Sequence, residues 1–174
     1  KNKHKPIEFN PPAPQIKSCF VGDIPSDEFI TGSELIKLVG LEKGVPINND
    51  TRWLKFKDLV DGKVKYIPML PLAHSVSYDD LNKLDLVYGK EIEIDGMRYI
   101  CRLIKGLNNE YSNKPLDEIY GYDTNPTHGS EWNRLMYPIC APTGNSTWDN
   151  ITDPSSPGLG AWAQYNHETD LGLL

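Results

Sequence analysis

Lys90-Glu91-Ile92-Glu93-Ile94-Asp95-Gly96-Met97-Arg98-Tyr99-Ile100-Cys101-Arg102-Leu103-Ile104 is the stretch on which the fold class turns. Its first half alternates charged and apolar residues with a period of two, the pattern of a strand with one buried and one wet face. Asp95-Gly96 is the residue pair that a two-residue hairpin turn favours, because both positions need positive φ. Such a turn fixes the register. Ile94 faces Met97 and Ile92 faces Tyr99 on one side, and Glu93 faces Arg98 on the other. Ile100 and Ile104 make the second strand apolar on both faces, which predicts a place further inside a sheet.

Upstream, Trp53 to Phe56 and Val64 to Pro68 flank Val60-Asp61-Gly62-Lys63, a second hairpin signal that Pro68 and Pro71 close. Lys55, Lys57, Lys63 and Lys65 predict one wet face or edge there, which discourages pairing with other chains. Two short helices carry local start signals. Thr31 with Glu34 fits a capping box, Ile30 and Leu35 sit at staple positions, and the helix Gly32–Val39 is closed by Gly40. Ser77 opens the second, with Asp79 and Asp80 in its first turn, Val76 and Leu81 as its staple, and Gly89 as its end.

The flanks read differently. Residues 1–18 hold Pro6, Pro11, Pro12 and Pro14 among lysines and few apolar anchors, which predicts an extended arm or linker. Gly106 to Pro126 is polar, rich in Asn and Tyr and without periodicity, and reads as a long surface loop. Beyond Pro138 the chain stays irregular, punctuated by Trp148, Trp162 and Tyr165. The fold class is α+β: antiparallel hairpins, two short helices and a loop-rich C-terminal half, in a single domain over 19–174.

Composition narrows the function. A formal charge of -6 and a pI near 5.2 lack the basic footprint that nucleic acid requires. No apolar run has the length of a membrane helix, and no signal peptide is visible. Gly 14 and Pro 14 in 174 residues imply much turn and loop. Cys19, Cys101 and Cys140 are far apart and odd in number, so free thiols are expected rather than a zinc site or a disulfide framework; one bridge with a thiol left over is the alternative. His4, His74, His128 and His167 are not at metal-ligand spacing. His128 stands near Ser130 and Glu131, but triad members converge from separate segments, and His128 reads as a loop hydrogen bonder. His74 reads the same way. Asp79, Asp80 and Asp123 could be combined into an acid pair for glycoside hydrolysis only by assumption, and Asp79 and Asp80 are explained by the helix dipole. Asn145 and Asn150 sit in glycosylation sequons, which arise readily by chance. No catalytic residue, metal ligand or cofactor is assigned.

Gly129-Ser130-Glu131-Trp132-Asn133-Arg134-Leu135-Met136-Tyr137-Pro138-Ile139 sets an acid, an indole, an amide and a guanidinium side by side, a costly mixture unless each polar group is paired. The Tyr-Pro step is expected to stop a helix. Glu131, Trp132, Asn133 and Arg134 are predicted to form a structural clasp, with an ion pair between Glu131 and Arg134 holding the loop layer. Tyr111, Tyr120, Tyr122 and Asp123 are the candidate ligand or partner surface, since a flat apolar face with a polar tip suits glycan or protein recognition.

Five stretches in order carry a resemblance: Gly22-Asp23-Ile24-Pro25 through Thr31-Gly32; Trp53-Leu54-Lys55-Phe56 with Asp61-Gly62-Lys63 and Tyr66-Ile67; Pro71-Leu72-Ala73-His74-Ser75-Val76-Ser77; Ile94-Asp95-Gly96 through Tyr99 to Gly106; and Gly129–Ile139. Together they resemble a module of virion structural proteins of tailed bacteriophages, found in tail, fibre, baseplate or capsid accessory proteins. The resemblance spans most of residues 20–140. It implies a non-enzymatic particle component, located in the virion, with other virion proteins as partners and a multi-copy symmetric assembly. It also implies a host-facing loop surface meeting a glycan or protein, and a loop-rich α+β fold similar to C-type-lectin-like domains. One departure is Ala73, where the family run usually has a basic residue. Two other classes stay in view: a carbohydrate-binding adhesion domain, and a cell-wall glycoside hydrolase.

Overall fold

The structure, a computed structural model, describes residues 19–106 and 125–140. Strand β1 (Phe20–Ile24) leads through a 3-10 turn (Ser26–Glu28) into helix α1 (Gly32–Val39). Strands β2 (Val45–Pro46), β3 (Trp53–Lys57), β4 (Val64–Pro68) and β5 (Ala73–His74) follow. Helix α2 (Tyr78–Lys83), the hairpin β6 (Lys90–Ile94) and β7 (Met97–Cys101), and helices α3 (Glu131–Leu135) and α4 (Tyr137–Cys140) complete the order. The fold is α+β with antiparallel pairing throughout: β1-β3-β4 with β3 central, β2 with β5, and β6 with β7.

Strand β3 decides the layering, because successive side chains point to opposite faces. Leu54 and Phe56 share one face with their β4 partners Ile67 and Lys65, and Lys55 shares the other with Tyr66. A core forms on each side. On the first, Leu54 and Phe56 pack with Cys19, Leu135 and Met136, flanked by Ile67, Met69, Ile104 and Trp132. On the second, Trp53 packs with Ile30, Val39, Leu86, Ile92 and Ile94, joined by Phe29, Tyr66, Tyr99 and Cys101. Fully burying a Leu or Phe side chain is worth roughly 1.5–3 kcal/mol, so both layers are substantial. The second layer has an aromatic hub. Phe29 stacks on Tyr66 at 4.7 Å and meets Trp53 edge-on at 5.4 Å and Tyr99 at 5.6 Å. The Trp53 indole N–H donates to the Ile30 carbonyl at 2.7 Å, so its polar edge is satisfied inside the core.

Local signals work as their chemistry requires. Thr31 and Glu34 form the capping box of α1, and Gly40 ends it in the left-handed region at φ 79°. Ser77 and Asp80 form the same box at α2. In the β6–β7 hairpin Asp95 and Gly96 take φ 49° and 79°, and Ile94 faces Met97, Ile92 faces Tyr99 and Glu93 faces Arg98. Gly44, at φ 87°, allows a close approach: a Cβ there would stand 2.3 Å from Val76 Cγ2 and 2.7 Å from the His74 carbonyl oxygen.

Tertiary structure overrides two expectations and qualifies a third. Ile100 is 59% exposed rather than inside a sheet, because β6 and β7 pair only with each other. Lys65 does not join a wet face. It stands opposite Phe56 and points into the first layer, with its side chain only 13% exposed. The helix α3 does end before the Tyr-Pro step, at Leu135, but helical structure resumes at once: α4 begins at Tyr137 with Pro138 in its first turn. A missing N–H costs nothing there, because first-turn donors have no partner within the helix. The expected N-terminal arm (1–18), most of the long loop and the stretch beyond Cys140 lie outside the described residues.

Candidate functional site

The run beginning at Gly129 is built locally and then locked to distant chain. Gly129 turns with φ 69°, and the Ser130 hydroxyl caps α3 by accepting from the Asn133 backbone N–H at 3.1 Å. The Asn133 side-chain amide donates back to the His128 carbonyl at 2.9 Å. This one-turn helix could not persist alone, since nucleation is unfavourable and little propagation follows. Tertiary contacts hold it. Leu135 and Met136 are fully buried, Trp132 packs half-buried against the same core, and the Trp132 backbone N–H donates to the Lys105 carbonyl at 3.2 Å.

Six charged side chains meet beside this helix. Asp58 is fully buried and Glu131 only 2% exposed. Arg134 grips Asp58 with two bonds, Nε to Oδ1 at 3.2 Å and Nη2 to Oδ2 at 2.8 Å, and its Nη1 donates to the Gly129 carbonyl at 2.9 Å. Arg102 grips Glu131 in the same forked manner, Nη1 to Oε2 at 2.8 Å and Nη2 to Oε1 at 2.5 Å. Lys65 Nζ joins the two pairs, at 2.6 Å from Asp58, 2.6 Å from Glu131 and 2.8 Å from Asp61. Three acids balance three bases.

Each carboxylate oxygen of the two buried acids has two donors. Asp58 also accepts from the Val60 N–H at 2.9 Å, and Glu131 from the Lys105 N–H at 2.8 Å. A carboxylate offers about four acceptor sites, so both are saturated by protein. The ammonium of Lys65 offers three donors and meets three carboxylates. No buried side-chain nitrogen or oxygen among the described residues lacks a partner.

The electrostatics follow from this arrangement. Burial pushes the Glu131 carboxyl up, but the Arg102 guanidinium, Lys65 and the Lys105 N–H outweigh it and hold the group down at about 2. Burial opposes ionisation of Asp58 too, and Arg134 with Lys65 overrides it, leaving Asp58 well below the usual carboxylate range. Burial works against the charge of Lys65, yet its three carboxylates raise it above its ordinary value. Glu131 raises Arg102. A general acid working near neutral pH needs a raised carboxyl pKa, and this pair has the opposite.

The expected ion pair between Glu131 and Arg134 is not made. Both side chains are buried, but Glu131 takes Arg102 and Lys65 while Arg134 takes Asp58. Asp58, Lys65 and Arg102 were not read as part of the group from sequence. The signal for Lys65 was its alternation with Ile67, which puts both on one face of β4. The partner-surface candidates Tyr111, Tyr120, Tyr122 and Asp123 lie outside the described residues, as do Asn145 and Asn150. His74 is exposed, its Nδ1 2.9 Å from the Ser75 hydroxyl. Cys19 and Cys101 are free thiols. Among the described residues no cluster of His, Cys, Asp and Glu could hold a metal ion, and no helix is long and apolar enough to cross a membrane.

No protein-family model, curated protein or solved structure matches the chain.

Proposed function

We propose that this chain is a non-enzymatic structural protein of a tailed-phage virion. In that role it docks on the particle in multiple symmetric copies with other virion proteins and presents a loop surface outward, towards the host. One observation carries the reading: the stretches that bear the resemblance meet one another in the interior. Lys65, next to Asp61-Gly62-Lys63, joins Arg102 of the fourth stretch and Glu131 of the fifth in the charged cluster. Phe29 of the first stretch, Trp53 and Tyr66 of the second and Tyr99 of the fourth form the aromatic hub. A signature whose residues bond to each other encodes a scaffold. A signature for catalysis would aim groups into a cleft with lone pairs left for substrate.

The same observation weighs against the hydrolase alternative. Asp58 and Glu131 do converge, but both are saturated and held in the ionised form, which leaves neither a proton to donate nor an acceptor for water. The test is composition of the particle. Phage particles from the source of this sequence, purified through a density gradient, should contain the chain at a constant ratio to the major capsid protein. Antibodies to the recombinant domain should label one recurrent position in electron micrographs. A chain absent from purified particles but abundant in the infected-cell lysate would sink the proposal.

A further inference from the structure

The two layers on either side of the β1–β3–β4 sheet are held differently. The first is closed by residues 125–140, which reach it by ion pairs from Glu131 and Arg134, by Leu135 and Met136, and by the Pro126 carbonyl, which accepts from Cys19 Sγ at 3.5 Å. The second is closed by α1, α2 and the β6–β7 hairpin through apolar and aromatic packing. The carboxylates on that side, Glu91 paired with Arg98 at 3.8 Å and Glu34 and Asp80 in the capping boxes of α1 and α2, lie at the surface, where water stands in for a lost partner and acid costs little. Lys90 there donates to the Val39 carbonyl at 2.9 Å, a bond that acid leaves intact.

We infer that acid releases residues 125–140 from the first face of the sheet while the second face stays packed, so that the two layers of the domain open independently. The groups facing the cluster are Asp58 and Asp61 from the β3–β4 connection, Lys65 from β4, Arg102 from the chain after β7, and Glu131 and Arg134 from α3; the Cys19 thiol lies beside Asp58. In the closed form the three bases are matched by three acids. Once the acids of the released form take up protons, reclosing must strip those protons or bury three unmatched cations. The sign is that of a depressed carboxyl. The stability that Glu131 contributes is complete above its ordinary 4.5 and is lost as pH falls from there through about 2. Asp58 and Asp61 act in the same direction. Release uncovers Cys19, Leu54 and Phe56, so a fall in pH turns a closed domain into one with an apolar strip.

Two native thiols report on the two layers: Cys19 in the first core and Cys101 against the second. The experiment labels the full chain with 2,2′-dipyridyl disulfide, which reacts with thiols in acid, and assigns each cysteine by peptide mass mapping. Rates are normalised to the unfolded chain at each pH. Between pH about 6 and pH about 3, Cys19 should accelerate by about tenfold or more while Cys101 changes by less than about twofold. Hydrogen exchange of the same samples should lose protection in 130–136 and keep it in 90–101. Equal acceleration at both cysteines would mean that the domain opens as one unit, and an unchanged Cys19 would mean that acid does not open it. Either result overturns the inference.

Discussion

Arg134 and Asp58, 76 positions apart in the chain, form a two-bond ion pair that is buried on both sides. Removing one member of such a pair strands the other in a site it cannot leave cheaply. Arg134→Met is therefore expected to cost about 3–5 kcal/mol in urea unfolding. Asp58→Leu combined with Arg134→Met should be less destabilised than the sum of the single changes, since the stranded charge is gone. Additive losses would mean that the pair does not act as a unit.

Lys65 contributes to the alkaline limit. Its folded pKa is raised, so the stability it contributes is complete below its ordinary 10.5 and is lost as pH rises through the higher folded value. Unfolding free energy should begin to fall above pH about 9, where the raised thiols of Cys19 and Cys101 lose their contribution, and fall further above about 10.5; in Lys65→Met that further fall should vanish. An identical alkaline limb in the variant would remove Lys65 as its cause. Screening should matter little, because the ammonium is mostly covered.

Gly44 tests the backbone. An alanine methyl would meet Val76 and the His74 carbonyl at a φ that side chains avoid, so Gly44→Ala should lower stability by about 1–3 kcal/mol. The loss should appear as a lower thermal midpoint, with hydrogen exchange rising first around β2 and β5. A variant as stable as the parent would show that this loop shifts freely.

Local chemistry was legible in the sequence wherever it acts over a few residues. The Thr31–Glu34 box, the Ser77 cap and the register of Ile92 with Tyr99 follow from side chains that meet their own neighbours. What stayed hidden depends on which strands share a sheet. Ile100 looks interior by composition and is exposed because no third strand joins its hairpin. Glu131 and Arg134 looked like partners because spacing is visible and tertiary position is not. Their real mates, Arg102 and Asp58, lie 29 and 76 residues away. Lys65 stands between these cases: the alternation that puts it on Phe56's side of β4 was readable, but lysine's usual exposure argued against it.

Trp132 tests the clasp itself. Its ring packs half-buried on the core that contains Phe56 and Leu135, and its backbone N–H reaches the Lys105 carbonyl. Trp132→Ala removes the ring and leaves every ion pair chemically intact, so it separates packing from charge. The expected loss is about 2–4 kcal/mol, below the full range for a buried Trp because the ring is partly in solvent. If packing and charge cooperate, the loosened helix should also let Cys19 react faster at neutral pH. A variant with unchanged thermal midpoint and unchanged Cys19 reactivity would leave the fastening to the ion cluster with Leu135 and Met136, and the organising role of Trp132 would be wrong. A variant that keeps its second layer but exposes Cys19 would show that ring and cluster hold the same element from two sides.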